Sequence, residues 1–186
     1  MAERYAALLR GINVGGHARV PMAELRKLME GLGHTAVQTH LNSGNAAFTA
    51  PAGRSAALQA ELEEAIAAHF GFRVACLVRD GGYLRAVAEA NPYPEEAAAD
   101  GKKVHAVFLS EQPSGGAEAL AAAVPPGPFA PEGYALGDRV LYLDLPNGIG
   151  RSKLPEALGR SAPLKPCTTT ARNWNTVLRL VELTAE

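Results

Sequence analysis

The chain is short of cysteine, of aromatic residues and of net charge, and each shortage closes a class of function. Its 186 residues hold two cysteines, Cys76 and Cys167, with no CxxC pair. No Cys/His spacing suits zinc, so the expectation is no metal, no cofactor and no disulfide framework, in a reducing cytoplasm. Aromatics make up 6%, and 18 Lys+Arg against 19 Asp+Glu leave a formal net charge of -1. That balance disfavours nucleic acid as a partner, because a generic polyanion binder relies on a basic surface. No apolar run is long enough to span a bilayer and the first residues lack a signal-peptide core, so no membrane partner is expected. A Walker loop is missing as well. Gly11 and Gly16 have the GxxxxG spacing, but His17 and Ala18 stand where Lys and Ser/Thr would hold phosphate and magnesium.

What is present is a regular alternation of short apolar runs and amphipathic stretches. Residues 5–9 read as a buried strand, 11–17 as a glycine-rich loop, and 21–32 as a helix carrying Met22, Leu25, Leu28, Met29 and Leu32 at helical spacing. Two strands, 37–41 and 46–49, flank a turn at 42–45. Ser55 is placed to cap a helix over 55–69, and 74–78 is a further strand. This is β-α-β-β-α-β, the ferredoxin-like order. Asp80 can cap a helix over 81–90, and 95–102 reads as an exposed linker. A looser second copy follows, with strands at 104–109, 133–136 and 139–143, a helix over 116–124, and a short helix ending near 158. A last helix is expected over 171–184, with Thr169 or Thr170 as its cap and Trp174, Val177, Leu178 and Val181 as its stripe. The expected fold class is therefore α+β, two ferredoxin-like subdomains with antiparallel sheets and a C-terminal helix. Its divisions are 1–80, a helix and linker over 81–102, and 103–186.

Polar chemistry gathers at loop ends, where function tends to sit. Arg10, Asn13, Asn42, Ser43 and Asn45 do so in the first half. Arg151, Ser152, Lys153, Thr170, Arg172, Asn173, Trp174 and Asn175 do so in the second. The inventory is cationic and rich in amides and hydroxyls, with almost no acids. The first turn expected for the last helix carries Arg172 where an acid would suit the helix dipole, which points to an anion completing it. Amides orient a ligand and guanidinium binds phosphate or carboxylate, so binding fits this set more easily than catalysis.

Five ordered stretches carry a family resemblance: residues 10–16 (RGINVGG), 21–25 (PMAEL), 42–45 (NSGN), 146–154 (PNGIGRSKL) and 169–176 (TTARNWNT). Together they resemble the bacterial family known as domain of unknown function 1697, over nearly the whole chain. The resemblance implies a cytoplasmic α+β protein of two ferredoxin-like subdomains and brings no activity with it. Cys167 stands where the family pattern leads one to expect a small residue such as alanine, which argues against a catalytic thiol.

The functional expectation is a small anionic ligand, phosphate- or carboxylate-bearing and a nucleotide among the candidates, held where the 11–16 loop, the 42–45 turn and the Arg172 helix start converge. The alternatives are a transferase or hydrolase acting on a phosphorylated substrate, an RNA-binding sheet, and motifs that only lock subdomains together through buried hydrogen bonds. The sequence sets no oligomeric state.

Overall fold

The structure is a computed structural model and describes residues 1–185. It is a mixed α+β fold with two four-stranded antiparallel sheets and, among the described residues, seven α-helices. The chain divides into two compact units, Met1–Arg85 with Arg179–Glu186, and Ala86–Leu178. None of the described helices is long and apolar enough to cross a membrane.

In the first unit, strand β1 (Ala2–Leu9) is followed by helix α1 (Met22–Gly31), strands β2 (Thr35–His40) and β3 (Asn45–Pro51), helix α2 (Ser55–Phe70) and strand β4 (Cys76–Asp80). The sheet runs β2-β3-β1-β4. β1 is central because residues 5–9 are apolar on both faces, and all five are at most 1% exposed. Tyr5, Ala7 and Leu9 share one core with Leu25 and Met29 of α1 and with Leu58, Leu62 and Ile66 of α2. The four-residue spacings within each helix put those side chains on one stripe. Ser55 is the first helical residue rather than the cap, since Arg54 occupies the cap position without a side-chain bond.

Phe48 anchors this core, with ring centroids 5.8 Å from Tyr5 and 4.8 Å from His34. His34 is buried, and burial pushes its pKa below the ordinary value against the opposing pull of the Glu61 carboxylate. His105 of the second unit is buried too and is lowered by the same cause, offset in part by a backbone bond at Lys103. Both take up a proton less readily in the fold than in the unfolded chain, whose histidines titrate near about pH 6.5. The stability they contribute is therefore present above that pH and lost as pH falls through it, at no more than about 1.4 kcal/mol per pH unit for each histidine. Urea unfolding at pH 7.5 and 5.5 should give a lower midpoint at pH 5.5, with part of the difference removed by His105→Gln. An equal midpoint at both pH values would exclude buried neutral histidines.

The second unit contains helix α4 (Pro94–Ala99), strand β5 (Val104–Leu109), helix α5 (Gly116–Ala123), strands β6 (Gly133–Leu136) and β7 (Val140–Asp144), helix α6 (Leu154–Arg160) and strand β8 (Thr169–Asn173). Its sheet runs β6-β7-β5-β8. Helices α3 (Gly81–Glu89) and α7 (Trp174–Leu183) carry the chain across the division. As expected, Asp80 caps α3, its Oδ1 accepting the Tyr83 N–H at 2.8 Å.

Two local expectations are corrected. Residues 95–102 are not a plain linker: Pro94 stands at the first position of α4, where its fixed φ suits a helix start. The last helix starts at Trp174, and residues 169–173 form β8, paired with β5 from His105↔Asn173 to Leu109↔Thr169. The β-branched Thr169 and Thr170 favour an extended chain, and Asn173 is the cap, its Oδ1 accepting the Thr176 N–H at 3.0 Å. Shifting the start moves the buried stripe to Trp174, Val177 and Leu180 and leaves Leu178 45% exposed.

Candidate functional site

In the first unit the chain leaves β1 at Arg10 and reaches α1 at Met22 through a loop held by one side chain. Asn13 Nδ2 donates to the carbonyls of Val20 at 2.9 Å and Asn42 at 2.8 Å, while its Oδ1 accepts the Val20 N–H at 2.9 Å. Asn13 sits at φ 56, a left-handed backbone that asparagine adopts more readily than other side chains. The carboxamide thus pins the base of the loop and ties it to the 42–45 turn. Asn45, fully buried, does the same within the turn, donating to His40 O at 2.9 Å and Ser43 Oγ at 3.1 Å.

An open cleft of about 440 Å³ lies between loop and turn, lined by Asn13, Gly16, Arg19, Val20, Pro21 and Asn42. Arg19 is exposed, and among the described residues its guanidinium has neither a hydrogen-bond acceptor nor an ion-pair partner. The Asn42 carboxamide is likewise exposed and unengaged. Among the described residues the N–H groups of Gly15, Gly16, Ala18 and Arg19 donate to no protein acceptor. A cation, a free carboxamide and unpaired backbone donors around one hollow form a surface that accepts negative charge.

Of the residues singled out from sequence, the structure joins Asn13, Asn42, Ser43 and Asn45. Arg10 follows the last residue of β1, with its N–H on Ala75 O at 2.9 Å and its side chain exposed. The others belong to the second unit. Arg172 lies within β8, not in a helix turn. It is buried, and its Nη1 donates to Thr170 Oγ1 and to Ala171 O, both at 2.8 Å. Trp174 is a packed residue, 5% exposed and 6.2 Å from the Tyr142 ring, while Asn175 Oδ1 lies over Gly101. Arg151 and Lys153 are exposed on a separate cleft of about 290 Å³ with Phe129, Glu132 and Asn147. Between them Ser152 Oγ donates to Glu132 Oε2 at 2.7 Å and accepts the Leu154 N–H at 3.1 Å.

Arg19 is the functional candidate that sequence reading missed. The signal was available: residues 10–21 contain Arg10, His17 and Arg19 and no acid. Cys167 is poorly placed as a nucleophile. Burial pushes its thiol pKa up and the Glu111 carboxylate adds to the shift, which lowers its thiolate fraction.

Residues 2–142 match the family described as "Protein of unknown function (DUF1697)". Among solved structures the chain is similar to the conserved bacterial protein SP0830 from Streptococcus pneumoniae, at 25% identity and a TM-score of 0.74 over 100% of both chains. No curated protein matches it.

Proposed function

The chain belongs to the DUF1697 family, whose function is unknown, and we propose that its first unit binds a small phosphate- or carboxylate-bearing ligand in the cleft beside Arg19. One observation carries this: a guanidinium with no partner among the described residues lines a cleft whose walls are fixed by the three hydrogen bonds of the Asn13 side chain. A guanidinium that is not already paired has no ion pair to break on meeting an oxyanion, and it can meet two of its oxygens at once. The binding set is Arg19 and Asn42 with the loop N–H groups. Asn13 and Asn45 hold the loop and turn in place. Arg172, engaged within its strand, is no part of this set.

Thermal unfolding with inorganic phosphate tests the assignment. At about 100 times the dissociation constant a ligand adds roughly 2.7 kcal/mol of stability, which for a chain of this size raises Tm by roughly 5–10 °C. Arg19→Ala should remove that rise and keep the ligand-free Tm. No rise with phosphate, or an equal rise in the variant, would refute the assignment.

Ser152 and Glu132 support a second reading, a hydrolase or transferase acting on a phosphorylated substrate, because a hydroxyl within bonding distance of a carboxylate resembles a nucleophile beside a base. Arg151 and Lys153 would then hold the phosphoryl group. Release of phosphate from p-nitrophenyl phosphate, lost in Ser152→Ala, would establish it. Turnover no higher than background in the wild-type protein would leave Ser152 as the hydroxyl that accepts the N–H of Leu154, the first residue of α6.

For the architecture we favour two ferredoxin-like subdomains. Both sheets place their strands in the order second, third, first, fourth, and in both a helix follows the first and the third strand.

A further inference from the structure

We infer that the cleft of the second unit takes a phosphate monoester with a compact apolar body, at a site that needs neither the first-unit assignment nor turnover at Ser152. Arg151 and Lys153 are exposed, and among the described residues neither charged group has a hydrogen-bond or ion-pair partner. The residue between them sets their direction. Ser152 is extended, at φ -89 and ψ 139, and along an extended chain successive side chains turn to opposite sides. Its hydroxyl is tied to Glu132 Oε2 at 2.7 Å, while Arg151 and Lys153 both line the cleft. The loop before them is closed by its own backbone, with Gly148 N–H on Leu145 O at 2.8 Å and Arg151 N–H on Gly148 O at 3.2 Å. Two like charges thus border one hollow on a loop that folds without pairing either, and an anion shared between them relieves their repulsion.

The remaining lining is mostly apolar. Pro128, Phe129, Ala130 and Pro131 supply it as one continuous stretch, and Phe129 is half-buried, packed in part on the core of its own unit. Apolar side chains with a few convergent polar groups are the usual lining of a small-ligand site. Here they suit an anionic head on an apolar body. A phosphate monoester carries nearly two negative charges at neutral pH, which two cations match, and Asn147 adds an exposed carboxamide to the same lining. Glu132 is the one acid among the described residues that line the cleft, and its carboxylate already accepts the Ser152 hydroxyl, so the cations outnumber it. The volume, about 290 Å³, lies near the lower end of the range of about 300–1,000 Å³ for such sites, which fits a body no larger than a ring.

Phenylphosphonate is the probe, because its P–C bond resists hydrolysis and binding is read apart from turnover. Isothermal titration uses the full chain carrying Arg19→Ala, which removes the cation of the first-unit cleft, at about pH 8, where the phosphonate is largely dianionic. Phenylphosphonate should bind about tenfold more tightly than methylphosphonate, which lacks the ring. It should bind about fivefold or more tightly than benzoate, which keeps the ring and carries one charge. Adding Arg151→Ala or Lys153→Ala should weaken it about fivefold each at unchanged Tm, since both side chains are exposed and neither charged group carries a bond of the fold. No binding to the Arg19→Ala chain, or binding that both cation variants leave unchanged, overturns the site and leaves the first-unit reading standing. Equal affinity for methylphosphonate and phenylphosphonate overturns the apolar body, and equal affinity for benzoate overturns the phosphate.

Discussion

Replacing Gly44 by alanine is expected to destabilise the protein by about 3–4 kcal/mol, the sum of a left-handed backbone in a residue with a side chain and an overpacked core. Gly44 has φ +89, and a Cβ built on it would lie 2.8 Å from Leu9 Cβ and 2.8 Å from Ile12 Cδ1. The Ile12 end could turn aside. Leu9 Cβ could not, because it is fixed to the central strand, whose N–H at Leu9 donates to Gly44 O at 2.8 Å. Strand and turn therefore press together where only glycine fits. Gly16→Ala is the matched control, with φ +78 and nothing within 4 Å of its Cβ. It should lose only the backbone part, about 1 kcal/mol. Urea denaturation reads both as a shift in midpoint at unchanged slope. A Gly44→Ala midpoint equal to that of Gly16→Ala would mean that the close approach has no energetic weight.

The same contact shows what sequence carries well. Local periodicity marked β1, α1 and α2 because Leu25 and Met29, or Leu58, Leu62 and Ile66, repeat every fourth residue and are all at most 1% exposed. The 42–45 turn was legible from its Asn and Gly content alone. Sheet order was not, since pairing β3 with β1 joins residues over 40 positions apart in register, Tyr5↔Phe48 among them, and no local pattern encodes that. Residues 169–173 misled for a related reason: threonine serves as a helix cap or as a strand residue, and pairing with β5, distant in sequence, decides which. Arg172 consequently passes from helix start to a buried position on the edge strand β8. The direction in which an amide points is the least legible property of all. Asn13, Asn42 and Asn45 look alike in sequence, yet the first and third turn inward onto backbone carbonyls, and the carboxamide of the second has no partner among the described residues.

Asn13→Ala should lower stability by about 3 kcal/mol and also weaken the proposed anion binding, although Asn13 offers no free group to a ligand. Its amide makes three hydrogen bonds, each worth about 1 kcal/mol when buried and less where solvent competes. The bond to Asn42 O is exposed and contributes least; the two to Val20, which is 0% exposed, contribute most. Alanine adds the strain of φ 56, which glycine avoids, so Asn13→Gly should recover about 1 kcal/mol relative to Asn13→Ala without restoring the bonds. Asn13→Asp is the harsher test. It keeps the acceptor for Val20 N–H, removes both donors, and sets a carboxylate against two carbonyl oxygens, so it should be less stable than alanine at pH 7. In each variant the loop between β1 and α1 loses its clasp, and ordering that loop adds to the cost of holding an anion at Arg19. Affinity for phosphate should therefore fall with the clasp even under conditions where the variant is fully folded, as circular dichroism would establish. A folded Asn13→Gly protein that still binds phosphate as tightly as wild type would show that Arg19 needs no preorganised loop, and the cleft's geometry would then have no part in the affinity.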